Sequence, residues 1–363
     1  MDPLEAVLLI PSLEPDERLP AYIKALLAAG FRHAVVVDDG SVGEQYQRIF
    51  EELARLPGCQ VLHHEVNRGK GVALKTGYAW IQAHLPETPG VITADADGQH
   101  TVTDCLKLAQ CLAEGERALY LGSRDFDLPN IPPKSRSGNK LTSRVFQLLY
   151  GQYLPDTQTG LRAFRREELP FMLEVEGERY EYEMKVLIAC ARAKLPMIPI
   201  GIETIYENNN EGTHFHPLRD SWRIYRVLLG SFFRFMGASL LCVLIDQVAA
   251  WLIWRLLGGT ALAKNTVTAI GSYGARLLSG TCNFVLNRRV VFKAQGNVLN
   301  EVWKYLLLSL VVITLSNLGV TLLHNLGMNR TLAKILCDTI LYFLNYNIQN
   351  RWIFTDEEAG REQ

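Results

Sequence analysis

From residue 5 to about 125, short apolar runs alternate with longer stretches whose apolar positions recur at helical spacing. AVLLI (6–10), AVVVDD (34–39), QVLHH (60–64), GVITAD (90–95) and ALYLGS (118–123) predict strands. Between them, 17–29, 43–55, 71–84 and 101–114 predict helices. Strand alternating with helix means an α/β domain with a doubly wound, mainly parallel sheet. After Gly230 the pattern changes. Four long apolar stretches, roughly 235–257, 265–287, 304–326 and 331–353, each suffice to cross a ~30 Å hydrocarbon core as a helix. The second part is therefore expected to be an all-α domain of four transmembrane helices.

Joining the parts, PLRDSWRIYRVLLGS (217–231) predicts a helix with Leu218, Trp222, Tyr225 and Leu229 on one face. Arg219, Arg223 and Arg226 fall beside them, as in a helix lying on a membrane surface. LTSRVFQLLYGQYL (141–154) is a second interfacial candidate. The expected organisation is a cytoplasmic domain at 1–216, an interfacial helix at 217–231, a membrane domain at 232–355 and a tail at 356–363.

Composition sharpens this split. The net charge of −1 suggests no partner and no nucleic acid. Divided at Gly230, the first part carries 25 Lys and Arg against 31 Asp and Glu, and the second 12 against 7. The halves are −6 and +5. Basic residues near the helix ends favour Arg234, the 288–304 loop and Arg351 on the cytoplasmic side. The expected location is a multi-pass protein of the plasma (inner) membrane. The seven cysteines form no C-x-x-C pair and fit a reducing compartment. The N-terminus does not read as a signal peptide.

Within the membrane half, NFVLNRRVVF (283–292) and NYNIQNRWIF (345–354) align at an offset of 62, suggesting a duplicated helical hairpin. Asp246 and Arg276 sit at similar depth in the first two helices and are expected to approach each other, because a lone charge there costs at least ~2.5 kcal/mol.

Polar clusters follow the apolar strands, where ligands of such sheets bind. In Asp95-Ala96-Asp97-Gly98-Gln99-His100, two carboxylates at a strand end can face a divalent cation, with a nucleotide diphosphate supplying further oxygens. Asp39 can accept from a ribose or base, or close an Asx-type turn. Asn67-Arg68-Gly69-Lys70-Gly71 opens a helix and suits a diphosphate, without Walker spacing. Asp156 to Arg162 offers a carboxylate, hydroxyls and an arginine to an acceptor, the alternative for Arg162 being a structural ion-pair partner. Glu181 and Glu183 open a helix, either as favourable N-terminal charges or as site residues. His214 meets a lipid phosphate or lies in an exposed loop.

Ile10-Pro11, DDGS (38–41), NRGKG (67–71), DADGQH (95–100), GSR (122–124) and DTQTGLRAFRR (156–166) occur in that order. Together they resemble the family 2 glycosyltransferases of the polyprenyl-phosphate (dolichyl-phosphate) hexosyltransferase type, over residues 5 to about 230. The membrane half resembles the GtrA-like four-helix proteins through its helix count, Arg234-Phe235 and the Asn-Arg-Arg-x-x-Phe ending at 287–292. The resemblance implies a GT-A type fold and an inverting, metal-dependent transfer of a mannose- or glucose-type hexose. The donor would be a nucleotide diphosphate sugar and the acceptor polyprenyl phosphate. Pro11, Asp39, Lys70 and Asp95 would serve the donor, Asp97 and Gln99 would hold Mg²⁺ or Mn²⁺, and Arg124, Arg136, Arg162 and His214 would meet the acceptor phosphate. Asp95, Asp97 and Asp156 would be catalytic. The membrane domain would anchor the enzyme or flip its product, and homo-oligomerisation is left open. Ser12-Leu13-Glu14-Pro15 departs from the family pattern of an aromatic residue followed by Asn-Glu. The rivals are a processive polysaccharide synthase and a lipid-linked sugar transporter with a ligand-sensing soluble domain. Gln349-Asn350-Arg351-Trp352 is one residue short of the synthase motif Q-x-x-R-W.

Overall fold

The computed structural model describes residues 2–128, 131–203, 217–257, 260 and 263–354. They form two compact units, Met1–Leu228 and Leu229–Gln363.

The first unit begins with β1 (Val7–Ser12), α1 (Arg18–Ala28), β2 (Ala34–Asp38), α2 (Glu44–Ala54), β3 (Cys59–His63), α3 (Lys70–His84), β4 (Gly90–Thr93), α4 (Val102–Glu114) and β5 (Leu119–Ser123). Every residue of β1, β2, β4 and β5 is buried. A strand covered on both faces shows an unbroken apolar run rather than an alternation, which is why these strands were readable from sequence. Leu8 and Ile10 of β1 join the core with residues of α1, α2 and α4. Leu9 points the other way, so close to α3 that a Cβ on Gly77 would lie 2.2 Å from its Cδ1.

After β5 come α5 (Pro133–Tyr150), β6 (Arg162–Arg165), α6 (Leu169–Glu174), α7 (Glu181–Arg192), β7 (Met197–Gly201) and α8 (Pro217–Leu228). The sheet order is β3-β2-β1-β4-β6-β5-β7. All pairings are parallel except those of β6, which runs antiparallel between β4 and β5. The expected doubly wound sheet is therefore present, with one inserted antiparallel strand. The carboxyl ends of β1, β2, β4 and β5 open on one edge, where an α/β sheet binds ligands.

α8 forms where expected. Ile224 and Leu228 are buried, and the Tyr225 hydroxyl lies 3.1 Å from that of Thr142 on α5. Trp222 is 68% exposed, on the same outer side as Arg226. α5 starts eight residues before the predicted interfacial segment and keeps Leu141 and Leu148 exposed.

The second unit contains α9 (Gly230–Leu257), α10 (Lys264–Leu286), α11 (Val298–Asn325) and α12 (Arg330–Ile348). α9 and α11 are long and apolar enough to cross a membrane, and the protein covers only 22% and 11% of their apolar windows. The core helix of a soluble fold would be covered by its neighbours, so lipid is the fitting solvent here. α10, which carries Arg276, and α12, which carries Lys334 and Asp338, do not meet the same measure. Those charges have partners. Arg276 Nη2 lies 3.8 Å from Asp246, which accepts a 2.8 Å hydrogen bond from Ser279. Lys334 lies 2.9 Å from Asp338, which accepts from Ser316 at 2.7 Å.

The offset of 62 reappears in space. α10 and α12 both end in a π-helical turn, Asn287–Val291 and Gln349–Ile353. The Asn287 amide donates to Asn283 and to Gln349, each at 3.0 Å, while Gln349 donates to Asn345 at 3.0 Å. Phe292 stacks on Phe354 with centroids 5.2 Å apart.

Candidate active site

The acidic end of β2 is occupied by its own chain. Asp39 Oδ1 accepts from Arg68 N at 3.0 Å and lies 2.8 Å from His64 Nδ1; Oδ2 accepts from Gly69 N at 2.7 Å. Asp39 is 4% exposed. The carboxylate thus anchors the Asn67–Gly71 turn, leaving little acceptor capacity for a ribose. Asp38 likewise holds Ser41 N at 2.9 Å and His63 at 3.0 Å. Gly40 has φ +81°, and a Cβ there would strike Val66. Pro11 is buried in β1 beside Val37 of β2.

At the start of α3, Val72 N donates to the Glu178 carbonyl at 3.0 Å. A Cβ on Gly71 would lie 2.6 Å from Tyr182 Cβ. The glycines of the motif thus allow α3 to pack against α7. The lysine side chain remains in play. Its Nζ lies 2.7 Å from Asp95 Oδ1 and 3.0 Å from Glu183 Oε1.

Asp95 follows β4. Its Oδ2 lies 3.2 Å from His100 Nε2. Burial opposes its ionisation, but the charges of Lys70 and His100 outweigh that and hold the carboxyl well below the usual range. Asp97 shifts the other way. Burial and then the charge of Asp95 raise it, against a 3.0 Å hydrogen bond from Gln99 N. Lys70 is held in its charged form, because Asp95 and Glu183 overcome its burial.

Among the described residues no three His, Cys, Asp or Glu side chains converge as a ready metal cage. The turn instead offers hard oxygen donors on Asp97 and Gln99, and a neighbouring Asp95 whose charge raises the cost of ionising Asp97. That donor chemistry fits a Mg²⁺ or Mn²⁺ ion sharing its ligands with a diphosphate.

The segment after α5 closes onto this turn. A Cβ on Gly160 would lie 2.4 Å from Asp95 Oδ2, so only glycine lets the two meet. Gly160 O accepts from Thr93 Oγ1 at 2.8 Å, which fixes the approach. Asp156 is 1% exposed and accepts from Arg124 Nε at 2.7 Å and Nη2 at 3.3 Å. Arg124 also lies 5.2 Å from the Phe126 ring. Arg136 donates to the Leu128 carbonyl at 2.6 Å.

Arg162 is 4% exposed and donates to the carbonyls of Thr159 at 3.0 Å and Glu183 at 2.9 Å, bracing β6 against α7. His214 lies outside the described residues. Sequence reasoning missed His64 as the partner of Asp39, and left Glu183 undecided.

Comparison with known proteins places the chain among families. Residues 8–169 match the model of glycosyl transferase family 2. Residues 234–354 match that of the GtrA/DPMS transmembrane domain. An uncharacterized protein of Methanocaldococcus jannaschii is 32% identical over 206 residues, covering 56% of this chain and 82% of its own. The UDP-N-acetylglucosamine–dolichyl-phosphate N-acetylglucosaminyltransferase of Methanococcus voltae is 30% identical over 216 residues, 55% of this chain and 85% of its own. A dolichyl-phosphate hexose transferase of Haloferax volcanii is 27% identical over 149 residues, 41% of this chain and 63% of its own.

Proposed function

The chain belongs to glycosyl transferase family 2 and carries a GtrA/DPMS transmembrane domain, and we propose that it moves a hexose from a nucleotide diphosphate sugar to polyprenyl phosphate. The observation that supports this most is the contact of Gly160 with Asp95. It brings the segment holding Asp156, the ion-pair partner of Arg124, against the DADGQH turn, so acceptor and donor candidates share one edge of the sheet.

Asp95 and Lys70 receive the donor, with Pro11 lining the nucleotide side and Asp39 acting through the 67–71 turn. Asp97 and Gln99 would hold a divalent ion, which when bound would supply positive charge to the leaving diphosphate. Arg124, oriented by Asp156, and Arg136 attract the acceptor phosphate. An oxygen of that phosphate forms the new bond to C1 of the sugar. The C1–oxygen bond to the diphosphate breaks with its electron pair, and attack from the opposite face inverts the configuration. A phosphate monoester with a second pKa of ~6 is largely ionised at neutral pH, so no strong base is required. The membrane unit keeps the enzyme beside its lipid, with the catalytic unit on the cytoplasmic side.

The test uses membranes containing the full chain, labelled nucleotide sugars and polyprenyl phosphate. Asp97→Ala is expected to abolish metal-dependent transfer while the protein still melts cooperatively. Undiminished transfer by that variant would refute the site assignment. A panel of donors with mass analysis of the lipid identifies the sugar.

A further inference from the structure

We propose that Glu183 is a positioning residue of the donor site, acting through Lys70; this rests on the reading of that site as the place where the nucleotide sugar binds. The first turn of α7 carries two glutamates with different partners. Glu181 Oε1 accepts from the backbone N–H groups of Glu178 and Arg179, each at 3.3 Å, which is local capping. Glu183 instead reaches out of its helix. It is 9% exposed, and its Oε1 lies 3.0 Å from Lys70 Nζ.

The same ammonium lies 2.7 Å from Asp95 Oδ1 and 6.0 Å from the centre of the Tyr180 ring. Lys70 therefore stands between two carboxylates, one that meets the donor and one that does not belong to the donor motif. Its backbone is held in place on either side. A Cβ on Gly69 would lie 2.5 Å from the Glu178 carbonyl oxygen, and one on Gly71 would collide with Tyr182. α3 and α7 are thus pinned together at the end where the lysine and glutamate face each other.

Two anions sharing one cation divide its attraction between them. With Glu183 charged, Lys70 is shared between two carboxylates, and Asp95 keeps acceptor capacity for the sugar hydroxyls of the donor. With Glu183 neutral, the ammonium keeps Asp95 as its carboxylate partner among the described residues and competes with the donor for it. Glu183 sets how strongly Lys70 engages Asp95, and through that the donor affinity, without touching the donor itself.

The experiment compares Glu183→Gln, Lys70→Gln and the double variant in the detergent-solubilised full chain. Donor KM and kcat are measured by transfer, and donor affinity by calorimetry with a nucleotide diphosphate sugar. Glu183→Gln is expected to raise donor KM about tenfold, with acceptor KM and melting temperature unchanged. The double variant is expected to match Lys70→Gln alone, because Glu183 acts through that lysine. Independent, multiplying effects of the two changes would overturn the proposal. So would a fall in kcat at unchanged donor KM, which is what a merely structural glutamate would give. If the unaltered chain binds no nucleotide sugar, the reading of the site fails and takes the inference with it. If it binds and Glu183→Gln binds equally well, the inference alone fails.

Discussion

Gly160→Ala adds one methyl group at the contact between the two halves of the site. Gly160 has no left-handed φ, so alanine fits the backbone itself. The methyl carbon would lie 2.4 Å from Asp95 Oδ2, 2.5 Å from Oδ1 and 2.6 Å from Cγ. Relaxation to an ordinary contact requires a displacement of about 1–1.6 Å. The Gly160 carbonyl is fastened to Thr93 at 2.8 Å, so the carboxylate yields rather than the backbone. Asp95 then loses its alignment with Lys70 and His100. A misplacement near 1 Å costs ~10²-fold in rate, equivalent to about 2.7 kcal/mol of transition-state stabilisation. Overpacking costs about 1–3 kcal/mol of stability, so the variant still folds. The assay is transfer from a labelled nucleotide sugar in membranes, with melting temperature measured on the purified chain. A variant with at least half of normal kcat/KM would refute the placement of Asp95 at the donor.

Asp97→Asn is expected to raise the melting temperature of chelator-treated protein at neutral pH and to abolish its further rise with Mn²⁺. The sign follows from burial and the Asp95 charge, which push the Asp97 carboxyl above its ordinary range. Above the ordinary carboxylate range the unfolded chain releases this proton more readily than the folded one, so ionising Asp97 costs stability as pH rises. A thermal shift series from pH 4 to 8 checks it. Arg124→Met should destabilise more than Asp156→Asn, because it strands a fully buried carboxylate whereas the arginine side chain keeps 20% exposure. Denaturant melts of both variants decide the order. Asn287→Ala and Gln349→Ala should each cost about 1–3 kcal/mol, and the double change should cost less than the two together, read in a double-mutant cycle.

The strands and helices up to β5 were legible because buried parallel strands are continuous apolar runs. β6 was not, since Arg162-Ala163-Phe164-Arg165 places a buried arginine where a core strand normally has an aliphatic residue. β7 carries Pro199, tolerated because β7 is the last strand in the sheet order and needs no donor on its free edge. The polar start of α5, PKSRSGNK, hid the first two turns of that helix. In the site, Asp95, Asp97, Arg124 and Asp156 stood out as charged residues following apolar strands or within a compact motif. The roles of Glu183, His64 and Gly160 depend on contacts between distant segments, and no local spacing encodes those. Asp39 shows the converse. Its motif was visible, yet the fold directs its oxygens into the chain.

The hydrogen bond from Asn287 to Gln349 joins a residue to its own counterpart 62 positions later. Contacts of that kind arise on a two-fold axis, where one surface meets a copy of itself. The stacked Phe292 and Phe354 obey the same relation. Each helical hairpin thus ends in a self-complementary face, the kind of surface by which a single two-helix chain could have paired as a homodimer before duplication joined the copies. Fusion leaves the halves free to diverge elsewhere, and the departures from symmetry are already chemical. The carboxylate sits on the first helix of one hairpin, as Asp246, and on the second helix of the other, as Asp338.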